Sequence, residues 1–221
     1  NALMYNDGQS YIRYQKGSLI FYALSDYLGE KTLNKALSKY IEKVAFQEPP
    51  YTTSIDMVNH IKEVTPDSLN YLIKDMFETI TLYQNRVVET KSEKLDNGKY
   101  KVDIEVKVSK YRNNEKGRAF YGNEERDSIS YKTQEMKKPE YSVYLSDYID
   151  IGIFGEDNDE NEIELYLKKH KISSINNKIT LIVDKKPVEV GVDPYNKLID
   201  TNSEDNRKKI TSKWKKDNYV L

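Results

Sequence analysis

The chain has 221 residues, and its 35 lysines and arginines nearly cancel 36 aspartates and glutamates, for a formal net charge of −1. That balance argues against a nucleic-acid partner, which calls for a basic excess or stripe, and the absence of cysteine excludes disulfides, thiolate chemistry and cysteine-ligated metals. Hydrophobic residues at 38% and charged residues at 32% fit a soluble fragment of one large or two small domains, and no apolar run reaches the ~18 residues a membrane span requires.

Asn1-Ala2 reads as the remnant of a cleaved tag, with native sequence from about Leu3, as expected of a piece of something longer. Helices are expected through the first eighty residues. Ile20, Leu24, Tyr27 and Leu28 recur at helical spacing from Gly17 to Leu28, and Gly29 is the stop. A second helix is expected over Lys31–Phe46, with Leu33, Leu37, Tyr40, Ile41 and Val44 as its apolar stripe. Pro49-Pro50 breaks the chain. Thr53 or Ser54 caps a third helix carrying Met57, Val58 and Ile61. Pro66 suits a first helical position, and Leu69, Leu72, Ile73, Met76 and Phe77 mark a fourth amphipathic helix. The short connections favour an antiparallel bundle.

Beyond about residue 80 the period falls to two. Tyr100, Val102, Ile104, Val106 and Val108 alternate with Lys101, Asp103, Glu105 and Lys107, the pattern of a half-buried strand. Asp96-Asn97-Gly98 is a hairpin turn leading into it from a partner strand within Arg86–Ser92. Further strands are expected at Tyr141–Leu145, Tyr148–Phe154, Glu162–Lys168, Lys178–Val183 and Pro187–Val190. Residues 112–134, polar and glycine-containing, read as a loop or mobile hairpin. Gly155–Asn161 is rich in carboxylates but lacks the register of a calcium loop, and reads as a solvated turn. The basic tail (Arg207, Lys208, Lys209, Lys213, Lys215, Lys216) reads as a frayed, solvated terminus. The fold class is therefore α+β: a helical segment over residues 1–82, then an antiparallel β-sandwich-like domain over residues 83–221 with a polar tail.

Residues able to do chemistry are few. The two histidines, His60 and His170, lie in different halves and never form His-Glu-x-x-His, the spacing that puts two imidazoles on one helix face to grip zinc. His60 reads as a surface or satisfied histidine and His170 as a strand-end or loop residue. Gly17, Gly29 and Gly98 read as close-approach, stop and turn residues, not as a phosphate cradle. On this chemistry alone the chain is a non-catalytic fragment or a binding module.

Tyr14-Gln15-Lys16-Gly17-Ser18-Leu19, the Leu28-Gly29 break and the helix ending Tyr40 to Phe46 resemble the segment downstream of the zinc site in the M1 family of gluzincin aminopeptidases. Thr53–Val64 and Ser68–Phe77 continue the likeness. Asp150–Phe154 and Val192–Asp200 are similar to the end of bacterial members that carry a permease-like membrane region. The resemblance implies that Tyr14, the tyrosine of Tyr-x-Lys-Gly, hydrogen-bonds the oxyanion formed as a peptide carbonyl is attacked. Tyr11 does not match the motif tyrosine, and Lys16 and Gly17 are expected to support helix placement. No metal ligands are expected in this fragment. The resemblance places zinc, its ligands and the general base in a parent region upstream of residue 1, which would be the chain's partner along with a peptide substrate. A membrane-associated parent follows from the permease-like likeness. The competing readings are a non-enzymatic protein- or peptide-binding module and a scaffold domain of a pseudoenzyme.

Overall fold

A computed structural model describes residues 3, 10–113, 119–120, 143 and 145–210. Among the described residues it is an α+β protein, with four helices and two antiparallel sheets. It divides into two compact units: Asn1–Leu82 with Tyr111–Val143 and Lys197–Ile199, and Tyr83–Lys110 with Tyr144–Asn196 and Asp200–Leu221. Among the described residues no helix is long and apolar enough to cross a membrane.

In the first unit, α1 (Gly17–Leu28) and α2 (Glu30–Val44) are separated by Gly29 alone, whose φ of 83° ends one helix and starts the next. Thr53 precedes α3 (Ser54–Val64), and the Asp56 carboxylate reaches back to accept from the Thr53 backbone N–H at 2.8 Å. The fourth helical stretch is not one regular helix. A 3₁₀ turn, Asp67–Leu69, leads into α4 (Asn70–Ile73), which widens into a π-type turn over Lys74–Glu78. Pro66 lies just outside this stretch with an extended ψ of 147°. Ile20, Leu24, Val58, Ile61, Leu72 and Phe77 form the core of the unit, so the stripes of α1, α3 and α4 are buried as their spacing requires. The α2 stripe departs from expectation: Leu33 is buried, but Ile41 stands exposed near the helix end.

Strands begin one residue after the helices end. β1 (Ile80–Lys94) and β2 (Tyr100–Asn113) flank the turn at Asp96-Asn97-Gly98. The Gly98 N–H donates to the Leu95 carbonyl at 2.9 Å, and only Gly98 takes positive φ (83°). This is a type I turn followed by a left-handed glycine, not a two-residue primed turn. β2 pairs with the two-residue β3 (Ala119–Phe120) at its end and with β6 (Asn176–Val183) at its start. The second sheet runs β5 (Glu162–Ile172), β4 (Asp147–Glu156), β7 (Pro187–Val192), β8 (Arg207–Lys209). Val143 and Leu145 stand outside any strand, and the rest of the strand expected at Tyr141–Leu145 lies outside the described residues. So does the stretch 112–134 apart from Arg112, Asn113 and β3. The tail expectation is corrected: Arg207–Lys209 is a paired strand, held because Arg207 ion-pairs Glu162 and Glu189 and its guanidinium lies 4.2 Å from the Phe154 ring centre. Lys213, Lys215 and Lys216 lie outside the described residues.

The second unit is closed by two sets of contacts. Val102, Ile104, Val106 and Val108 of β2 bury one face, and Ile149, Ile151 and Ile153 of β4 bury theirs beside Val190 and Val192 of β7. Each row continues into a charge. Lys110 follows Val108, Asp147 precedes Ile149, and the ammonium meets both carboxylate oxygens at 2.9 and 2.8 Å with side chains only 2% and 3% exposed. The Tyr83 hydroxyl donates to the same carboxylate at 2.7 Å. The other face of β4 is covered by the segment after β7. Asp193 and Asn196 take positive φ (46° and 53°), and the Asp193 N–H donates to the Asp150 carbonyl at 2.8 Å. Pro194 then sits where only glycines fit: a Cβ on Gly191 would lie 2.7 Å from Pro194, and one on Gly152 would lie 2.8 Å from the Phe154 ring. Removing one partner of a buried ion pair strands the other charge, at about 3–5 kcal/mol. Asp147→Ala should therefore lower the urea midpoint by that equivalent, whereas the combined change Lys110→Met, Asp147→Leu and Tyr83→Phe, which leaves no buried polar partner stranded, should retain most of the stability. Equal losses in both variants would contradict this account.

Candidate functional site

Tyr14 lies in a helical segment, Tyr11–Lys16, whose wide i→i+5 spacing runs directly into α1. The Gly17 N–H serves the carbonyls of both Ile12 and Tyr14, which joins the wide turn to the regular helix. Such turns are uncommon and often mark functional positions. Ile12 is buried and pins the segment, while Tyr14 is 66% exposed. The Arg13 guanidinium lies 4.8 Å from the Tyr14 ring centre, and no described side chain hydrogen-bonds the Tyr14 hydroxyl. The phenolic donor is thus presented to solvent from an anchored base. Tyr11 is exposed as well.

Lys16 supplies a second anchor. Its ammonium donates to the Thr79 carbonyl at 3.3 Å, at the point where the fourth helical stretch ends and its unpaired carbonyls favour a cation. Burial pushes the Lys16 pKa down to about 8. A half-buried lysine holds the helix start here, and among the described residues a Cβ on Gly17 would meet nothing nearer than the Ile12 oxygen at 3.9 Å. Close by in the fold, the buried Asp75 accepts from Arg112 at 2.7 Å and from Thr81 at 3.2 Å. The sequence places Arg112 at the start of a polar loop; in the structure it lies within the last residues of β2, and no sequence spacing announces its carboxylate partner.

The histidines do other work. His60 Nδ1 bonds the Asp56 carbonyl at 2.8 Å, and its ring stands edge-on to Tyr40. His170 lies within β5, where Nε2 bonds the Tyr166 hydroxyl at 2.8 Å and burial lowers its pKa. The acidic stretch at 155–161 is the β4–β5 turn: Asp157 Oδ1 accepts from the backbone N–H groups of Asp159 and Asn161, both at 2.9 Å, which holds its carboxyl below the usual range. Among the described residues no group of three or more histidine, aspartate or glutamate side chains is arranged to hold a metal. The chain matches no protein-family model and no curated protein.

The half-buried Lys16 makes a pH-dependent contribution with a definite sign. Between pH 8 and 10.5 the unfolded chain keeps the proton that the folded chain has released, so stability rises with pH across that window. Against Lys16→Met, the unfolding free energy of the wild type should therefore climb over that range and run parallel to the variant's at lower pH. Parallel curves throughout would show that Lys16 is not desolvated.

Proposed function

We propose that this chain is the C-terminal part of a zinc aminopeptidase of the M1 type, contributing Tyr14 as a hydrogen-bond donor to the oxyanion formed during hydrolysis of an N-terminal peptide bond. The observation that carries the reading is the presentation of Tyr14: an exposed phenol on a wide helical turn, fixed from below by Ile12 and Lys16. A donor aimed at developing negative charge must be held in place without reorganising, and an exposed hydroxyl on an anchored turn suits that demand. The described residues do not fit a zinc site, so in this reading the metal, its ligands and the proton-handling carboxylate belong to an upstream region of the same parent, itself associated with a membrane. The β-rich unit is read as a scaffold, since its buried charges Lys110 and Asp147 are engaged in holding strands together.

The test is steady-state kinetics on the metal-loaded parent. Tyr14→Phe keeps the ring and removes the hydroxyl. Loss of one oxyanion donor costs about 10²–10³ in turnover, with little change in ground-state binding because the charge exists only in the transition state. Near-equal turnover under conditions where chemistry limits the rate would sink the role of Tyr14. A coding sequence upstream without His-Glu-x-x-His would favour the scaffold of a pseudoenzyme or a binding module instead.

A further inference from the structure

The β1–β2 turn carries chemistry that neither the fold nor the proposed activity uses. Asn97-Gly98 is the one place in the sequence where asparagine precedes glycine, and both residues are exposed at the tip of the hairpin. Such a pair can react with itself. The backbone nitrogen of Gly98, once it gives up its proton to solvent base, attacks Cγ of Asn97. The new C–N bond closes a five-membered succinimide, and the side-chain nitrogen leaves as ammonia. Glycine favours this step because no Cβ shields its nitrogen. Water then opens the ring. Cleavage between Cγ and the Gly98 nitrogen leaves aspartate. Cleavage at the original backbone carbonyl leaves isoaspartate, whose main chain runs through Cγ and is one methylene longer.

The folded turn opposes ring closure. Asn97 is the third residue of a type I turn, a position with ψ of about 0°. That angle turns the Gly98 nitrogen away from the Asn97 Cβ, whereas the ring needs the two nearly eclipsed. The nucleophile is also occupied, since the Gly98 N–H donates to the Leu95 carbonyl at 2.9 Å. The Asn97 side chain is tied as well, its Oδ1 accepting from the Lys99 N–H at 3.1 Å, and the Leu95 N–H closes the tip on the Lys99 carbonyl at 2.8 Å. These bonds lie at an exposed chain tip, where local opening costs less than global unfolding. We propose that Asn97 is a site of spontaneous deamidation and isomerisation, and that the β1–β2 tip gates the reaction, which proceeds only in molecules whose tip has opened. The isoaspartyl product cannot re-form the turn, because its extra methylene lies between the Leu95 carbonyl and the Gly98 N–H.

Peptide mapping of the full chain after incubation in ¹⁸O-labelled water at mildly alkaline pH reads the reaction, as label and isoaspartate at residue 97. The folded chain is compared with the urea-unfolded chain at the same pH. Both should convert, the folded one at least about tenfold more slowly, which corresponds to an opening free energy of about 1.4 kcal/mol or more. Amide hydrogen exchange at Gly98 measures the same opening independently, and its protection should match the ratio of the two rates. Asp96→Pro presets φ at the second turn residue and should lower the folded-to-unfolded ratio, whereas Asp96→Gly loosens the tip and should raise it. Neither change alters the reacting pair. Gly98→Ala should slow conversion in urea, where the fold contributes nothing. An unfolded chain without label at residue 97, equal rates in the folded and unfolded chains, a ratio that departs from the Gly98 protection, or a ratio unmoved by the two Asp96 variants would each overturn the proposal.

Discussion

The β-rich unit depends on one buried ion pair. Lys110 and Asp147 end the inner rows of β2 and β4, the two central strands, and meet where almost no water reaches them. A lone charge at either position would be intolerable, so the two strands must be brought to the one arrangement in which the ammonium reaches both carboxylate oxygens. Tyr83 adds a third element by donating to the same carboxylate from β1. Apolar rows of valine and isoleucine supply the larger driving force, but valine on isoleucine tolerates sliding. A charge that must find its partner does not, and so the pair selects the alignment of the sheets more than it adds to their stability.

A second constraint acts on β4 from its other side. Asp150, Gly152 and Phe154 would face solvent in a simple two-layer sheet. Here Lys169 pairs with Asp150 at 3.0 Å, Pro194 packs over Gly152 and Gly191, and Arg207 lies on Phe154. β4 is therefore covered on both faces without a third layer, by the turn at 193–196 and the short β8. Small residues beneath the proline, positive φ at Asp193 and Asn196, and a basic strand against glutamates are parts of one device. Each is costly or unremarkable alone, and together they turn an edge into an interior.

The helical unit uses charge differently. Lys16 and Asp75 lie close together in this unit, Lys16 on the carbonyl of Thr79 and Asp75 on Arg112. Both secure the irregular ends of helices, where backbone groups lack partners of their own. The wide turns at Tyr11–Lys16 and Lys74–Glu78 are the places where regular spacing fails, and they are also where these side chains attach. Tyr14 stands out from the first of them. Its exposure follows from that geometry: Ile12 takes the buried position, and the widened turn swings residue 14 outward.

Elements whose pattern is local could largely be read from the sequence, although the fourth helical stretch breaks into 3₁₀, α and π-type turns. The spacing of Ile20 and Leu24, the stop at Gly29, a cap at Thr53 or Ser54, the alternation from Tyr100 to Val108 and the glycine of the Asp96-Asn97-Gly98 turn are each set by residues a few positions apart. The α+β class and the change from helix to strand at residue 80 follow from them, because periodicity is a property of neighbours. Lys110, Arg112 and Arg207 were illegible for the opposite reason. Each is a charge whose meaning depends on a carboxylate 37 or more residues away, Asp147, Asp75 and Glu162 respectively. Read locally they end a strand, open a loop and fray a tail. The candidate site divides along the same line. Tyr14 could be singled out from a short motif, but its exposed placement, the burial of Lys16 and the irregular turn beneath them were decided only by tertiary packing, which alone determines what lies under a side chain and what it is left to face.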